Sequence, residues 1–120
     1  MVVKFENHGE EVHAFFRLFE YAGKEKRKCI QMYSIHRDDG GEWAEPYATI
    51  TTNLPQYELP EPKLHGFYCF IDTNNCPWIE KILLDTGIGI PTGVYRTSGF
   101  CHYPIYFIFT ANLKKYRCDL

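Results

Sequence analysis

No stretch of this sequence approaches the ~20 consecutive apolar residues that a membrane-spanning helix needs. A helical membrane anchor is therefore not expected. An excess of one charge is also missing, because 13 Lys and Arg face 15 Asp and Glu for a net charge of −2. That excludes the strongly basic surface of a general nucleic-acid binder and the charge density of an acidic nucleic-acid mimic. Cys-x-x-Cys is absent, which excludes a zinc ribbon or thioredoxin motif. No Walker A sequence occurs, and no Asn-x-Ser/Thr glycosylation acceptor is found. Residues 1–10 are mixed and polar, without the basic-then-apolar pattern of a signal peptide.

What is present is aromatic: nine Phe, nine Tyr and two Trp in 120 residues, enough to favour strands and a β-rich core. Five cysteines, Cys29, Cys69, Cys76, Cys101 and Cys118, are an odd number without a leader. They read as free, mostly buried thiols in a reducing compartment, so a cytoplasmic location is expected. The length fits one domain.

Residues 2–6 alternate weakly. Residues 13–21 alternate better, with His13, Phe15, Arg17 and Phe19 on one side of a strand. A charged turn over 23–28 leads to a strand over 29–35. Asp38-Asp39-Gly40-Gly41 then marks a hairpin, since Asp-Gly supplies the positive φ angles of a tight turn. Residues 47–52, Tyr-Ala-Thr-Ile-Thr-Thr, form a β-branched strand and complete an antiparallel meander. Pro55, Pro60 and Pro62 make 53–62 irregular. Residues 67–72 read as a buried strand. Thr73-Asn74-Asn75 with Pro77 marks a helix start, and Ile79, Ile82 and Leu83 share one helical face ending at Gly87. Residues 88–102 read as a loop. Residues 103–109 form a final strand, with Pro104 near its start or on an edge, and 111–116 a short helix. The expected fold is α+β, a mostly antiparallel sheet of about five or six strands with one main helix packed on it.

Three stretches carry a resemblance: Glu45-Pro46-Tyr47-Ala48-Thr49-Ile50-Thr51-Thr52-Asn53-Leu54-Pro55, Asp72-Thr73-Asn74-Asn75-Cys76-Pro77-Trp78, and Pro91-Thr92-Gly93 followed by Arg96-x-Ser98-Gly99-Phe100-Cys101-x-Tyr103-Pro104. Over roughly residues 40–110 the chain resembles a domain-of-unknown-function family of small proteins encoded on plasmids, conjugative elements and phages of gut Firmicutes. The resemblance transfers no catalytic residues. It implies an accessory gene of a mobile element, for which inhibition of a host defence system, control of transfer and partitioning are the expected roles.

Two clusters and one surface are candidate sites. Asp72, Asn74 and Asn75 stand where a strand gives way to the helix, so they can meet an anion at a helix N-terminus or simply cap the turn. Arg96, Ser98, Cys101 and His102 form the densest polar cluster. Arg96 suits a bidentate anion, and Ser98 or Cys101 is a nucleophile only if a base such as His65 or His36 is folded against it. Trp43 and Tyr47 open an aromatic and proline-rich stretch suited to a protein contact surface. The basic runs 24–28 and 114–117 allow nucleic-acid contact without favouring it. The glycines of 87–93 follow a helix instead of opening one, so they do not form a dinucleotide loop. His8 and His13 lack metalloprotease spacing, and a zinc site would need distant residues such as His65, Cys69 and His102. No cofactor is called for. The leading expectation is a non-enzymatic binding protein with a protein partner. The alternatives are a small-ligand or nucleotide binder and an enzyme using Cys101 or Asp72.

Overall fold

The alternation that marks the N-terminal half as strand is realised in full. In the computed structural model, which describes residues 1–117, β1 (Val3–Asn7), β2 (Glu10–Glu20), β3 (Lys28–Asp38) and β4 (Gly41–Thr49) form an antiparallel sheet in the order β1-β2-β3-β4. His8 and Gly9, at φ 51° and 77°, make the two-residue turn between β1 and β2. At the β3–β4 turn Asp38 accepts a 2.7 Å hydrogen bond from the Gly40 N–H. The second sheet holds β5 (Thr51–Thr52), β6 (Gly66–Ile71), β7 (Gly89–Ser98) and β8 (Cys101–Phe109) in the order β5-β6-β8-β7. Helix α1 (Ile79–Thr86) precedes β7, and α2 (Thr110–Lys115) follows β8.

The α+β class, the antiparallel pairing and the single main helix agree with the sequence reading. The strand count rises to eight in two sheets, for two reasons. First, the strand expected over 47–52 begins earlier and breaks at Ile50, where the chain passes from one sheet to the other. Ile50 is fully buried, donates its N–H to Ile30 and accepts from the Asp72 N–H at 2.8 Å, so one residue stitches the sheets together. Second, the loop expected over 88–102 is β7, a turn and the start of β8. Its glycines and proline sit at irregularities of a strand instead of abolishing it. Pro91 and Gly93 (φ 86°) lie in a bulge where the register shifts between Pro91 and Tyr95, and Gly99 (φ 62°) makes the turn. In the bulge the Thr92 hydroxyl donates to the Ile105 carbonyl at 2.9 Å. Pro104 lies near the start of β8, opposite Tyr95 and beyond the span that pairs with β6, where no second strand asks for its missing N–H.

The core lies between the two inner faces. Ala14, Phe16, Ile30 and Met32 of the first sheet meet Phe67, Cys69, Tyr106 and Ile108 of the second, with Ile79 and Leu83 of α1 and Leu113 of α2. Gly66 is required by close approach, because a Cβ there would lie 2.2 Å from the Ile108 carbonyl and inside the Phe107 ring. Helix α1 ends as expected at Gly87 (φ 71°), whose carbonyl accepts from Asn112 at 2.7 Å. Its start differs from expectation. The helix begins at Ile79 behind Trp78, and Asp72 to Asn75 form a separate turn in which Asp72 accepts from both the backbone and the side chain of Asn75. An Asp side chain satisfied by a residue three positions on closes a turn of its own and leaves nothing for a helix end. Past the end of β1, the Tyr116 carbonyl accepts from the Phe16 N–H at 2.7 Å, so the chain returns to the first sheet beside β2. Cys29, Cys69 and Cys76 are buried free thiols and Cys101 is half-buried. Cys118 lies outside the described residues.

Candidate functional site

Strand β7 is the edge of its sheet and is exposed along nearly its whole length. Beyond Ile105, where β6 pairing ends, β7 and β8 continue as a two-stranded ribbon that carries Arg96, Ser98, Cys101 and His102. Its register pairs Arg96 with Tyr103, Thr97 with His102 and Ser98 with Cys101. Alternation therefore divides the cluster between two faces. Arg96, Ser98, Cys101 and Tyr103 lie on one face. Tyr95, Thr97 and His102 lie on the other, where Thr97 Oγ1 and His102 Nδ1 are 2.9 Å apart.

A brace from the irregular segment 53–62 holds the first of these faces. Tyr57 donates its hydroxyl to the Thr97 carbonyl at 2.6 Å, and the Arg96 guanidinium lies 5.7 Å from the Tyr57 ring centroid. The segment is itself fixed by Arg27. That side chain is only 10% exposed, donates to the Leu54 carbonyl at 2.8 Å, to the Tyr57 carbonyl and to Asn53, and pairs with Glu25 at 2.9 Å. Under the segment, Leu54, Phe70 and Ile105 form a second small core, with Tyr57 and Tyr103 packed against it.

The β6–β8 pairing stops at Phe70 and Ile105, so Asp72 lies just beyond it, while Arg96 faces Tyr103 across the ribbon. The Tyr103 phenol is pushed up first by burial, then by its hydrogen bond with Cys101, with a smaller contribution from the Asp72 carboxylate. The structure thus brings Arg96, Ser98 and Cys101 to the same face, with the buried Asp72 carboxylate near enough to Tyr103 to act on it. Asn75 is tied to Asp72, and the Cys76 thiol is pushed up to about 11, first by its burial and then by the Asp72 carboxylate. Three depressions lie elsewhere and are lined by none of these residues. The depressions of 390 and 230 Å³ lie around residues 24–28, between the 21–28 turn and the 53–62 segment, and one of 440 Å³ lies against the first sheet.

The bases considered for Cys101 are occupied elsewhere. His65 packs on Phe107 and Phe109, and His36 lies 3.0 Å from Glu45 and 2.9 Å from Ser34 while stacking on Trp43. His65, Cys69 and His102 do not converge: Cys69 is in the core and His102 is on the ribbon. Among the described residues no cluster of three or more His, Cys, Asp or Glu side chains is arranged to hold a metal ion. Trp43, on β4, is 47% exposed. Tyr47 is turned inward, against Phe5 and Trp78, with its hydroxyl 2.6 Å from the Asn7 amide that donates to it. It is therefore separated from Trp43 and from the ribbon.

The ribbon also holds apolar groups that the sequence reading passed over. Val94 and Tyr95 are exposed, and Phe100 at the tip is entirely so. Their signal is an apolar residue beside Gly99 in a turn, which is visible only once 88–102 is read as a hairpin. Arg27 was missed in the same way, hidden among lysines in a run that reads as a solvated loop tip.

The chain belongs to the family described as Domain of unknown function (DUF4313), whose model matches residues 5–119. No curated protein and no solved structure matches it. No helix among the described residues is long and apolar enough to cross a membrane.

Proposed function

We propose that the protein is a non-enzymatic binding module that engages a protein partner through the β7–β8 ribbon. The observation that carries this reading is the projecting, braced hairpin with a wholly exposed Phe100 at its tip and Tyr95 behind it. A rigid strand pair that presents aromatic side chains on a convex element suits insertion into a partner's groove. The exposed Arg96 adds a charged group beside them, which fixes orientation. In its most concrete form, which follows the resemblance to mobile-element proteins, the partner is a component of a bacterial defence system and the module inhibits it in the cytoplasm. A ligand-binding or catalytic role for Asp72, Arg96 and Cys101 draws less support, because none of the three depressions described above is lined by them.

The test is affinity capture from lysates of defence-carrying bacteria, with the wild-type chain and a Tyr95→Ala/Phe100→Ala variant run in parallel. One stoichiometric protein that is captured by the wild type and lost with the variant supports the reading. Equal capture by both chains, or no capture in any lysate, overturns it.

A further inference from the structure

Strand β6 is paired with β8 from Gly66 to Phe70, but its other edge is closed only towards its two ends. At one end Thr52 lies opposite Phe70, and the Asp72 N–H donates to the Ile50 carbonyl at 2.8 Å. At the other end Gly66 exchanges backbone bonds with Lys63, at 2.8 and 3.4 Å. In an antiparallel ladder a residue's N–H and carbonyl point the same way, and those of its neighbours point the opposite way. Gly66 and Asp72 both aim away from β8, so Tyr68 between them does too. No protein group among the described residues pairs with the Tyr68 N–H or carbonyl on that side, because the chain leaves the sheet after Thr52 and rejoins it at Lys63. The 390 Å³ depression opens at this gap, with Tyr68 in its lining.

We propose that this depression binds a short peptide, two or three residues long, one residue of which exchanges both backbone hydrogen bonds with Tyr68. The gap sets the length. Four steps of ~3.3 Å separate Gly66 from Phe70, so the closed ends stand about 13 Å apart. That admits two or three extended residues and stops a longer strand from running through. The volume agrees, since 390 Å³ is towards the lower end of the roughly 300–1,000 Å³ of small-ligand sites.

Charge selects the ends of the ligand. Lys26, Arg27 and Lys28 line one side of the depression, and Glu58 and Glu61 line the other, with Glu25 beside Arg27. Arg27 is committed to Glu25 at 2.9 Å and Lys28 to Glu20 at 2.8 Å. Lys26, Glu58 and Glu61 make no ion pair among the described residues. A zwitterionic peptide sets its ammonium against the two glutamates and its carboxylate against Lys26. Phosphate would meet two uncommitted carboxylates for one uncommitted ammonium. A peptide also answers the paired N–H and carbonyl of Tyr68, as in strand addition at a sheet edge. The order β5-β6-β8-β7 puts this gap on the opposite side of the second sheet from β7, so the site stands apart from the ribbon.

Amide NMR of the isotope-labelled full chain, titrated with trialanine to about 10 mM, tests this, because two hydrogen bonds and exposed charges give about millimolar affinity. The expected result is a saturable shift of the Tyr68 amide. Trialanine methylated on both amide nitrogens keeps the charges and loses the N–H donors, and it should bind at least about fivefold more weakly. A Glu58→Gln/Glu61→Gln variant should weaken trialanine to a similar degree. Should that variant not fold, the methylated peptide on the wild-type chain decides alone. A Tyr68 amide unmoved by trialanine, or moved equally by the methylated peptide, overturns the proposal. So does a Tyr68 shift with inorganic phosphate that trialanine fails to produce, which would assign the depression to anions.

Discussion

A single guanidinium organises the side of the molecule that bears the ribbon. Arg27 emerges from a run of lysines, yet only Arg27 turns inward, because a planar fork of donors can serve several carbonyls at once where an ammonium serves as a point charge. Replacing Arg27 by Ala leaves the Leu54 and Tyr57 carbonyls without their donor. The expected cost is about 2–3 kcal/mol in urea unfolding, with new protease sensitivity across residues 53–62. Arg27→Lys should recover little of it. Full recovery by lysine would mean that charge alone holds the segment. Adjacent residues of one type thus conceal a division of labour that composition cannot express.

At the scale of elements, Tyr57 links an irregular segment to a hairpin forty positions away. Tyr57→Phe keeps the ring under Arg96 and deletes the hydrogen bond to Thr97. It should cost about 0.5–1 kcal/mol and raise amide exchange in the ribbon several-fold while leaving β2 and β3 unchanged. Unaltered exchange in the ribbon would show that ring packing alone supplies the brace. The elements most legible in the sequence were those whose signals are local: the Asp-Gly hairpin, the alternation of β2, and the face of α1 with its Gly87 stop. Strand β7 was not legible because Pro91, Gly93 and Gly99 are loop signals in isolation. Only β8, already paired, makes a bulged strand out of them. The break at Ile50 was hidden for the opposite reason, since Tyr-Ala-Thr-Ile-Thr-Thr is uninterrupted strand chemistry and the change of sheet is imposed by tertiary packing. Arg96, Ser98, Cys101 and His102 were legible as one polar cluster and Asp72 as a separate candidate. The division of the cluster between two faces depended on a register that no short motif records.

Across the whole molecule, burial sets an alkaline limit on stability. The Cys76 thiol is pushed up to about 11, first by burial and then by the Asp72 carboxylate, from an ordinary value near 9. Burial raises Cys69 and Tyr21 too, and it raises Tyr106, which also donates to Glu80 at 2.7 Å. These groups keep their protons in the folded chain after the unfolded chain has released its own, so the unfolded state binds fewer protons and stability falls as pH rises. Unfolding free energy should stay flat up to about pH 9 and then drop, with Cys76 contributing roughly 2 kcal/mol of the loss by about pH 11. Urea titrations at successive pH values should show a shallower decline for Cys76→Ala, and a parallel decline would remove Cys76 from the account. The return of the chain to β2, where Tyr116 meets Phe16, bears on how the protein is made. The N-terminal meander consists of neighbours in sequence and can pair soon after it is synthesised. Its greasy underside and the bare flank of β2 nevertheless wait for residues translated some hundred positions later. A nascent chain stalled after β4 would carry both unprotected, which makes the interval before Tyr116 emerges the period when this protein most needs a chaperone.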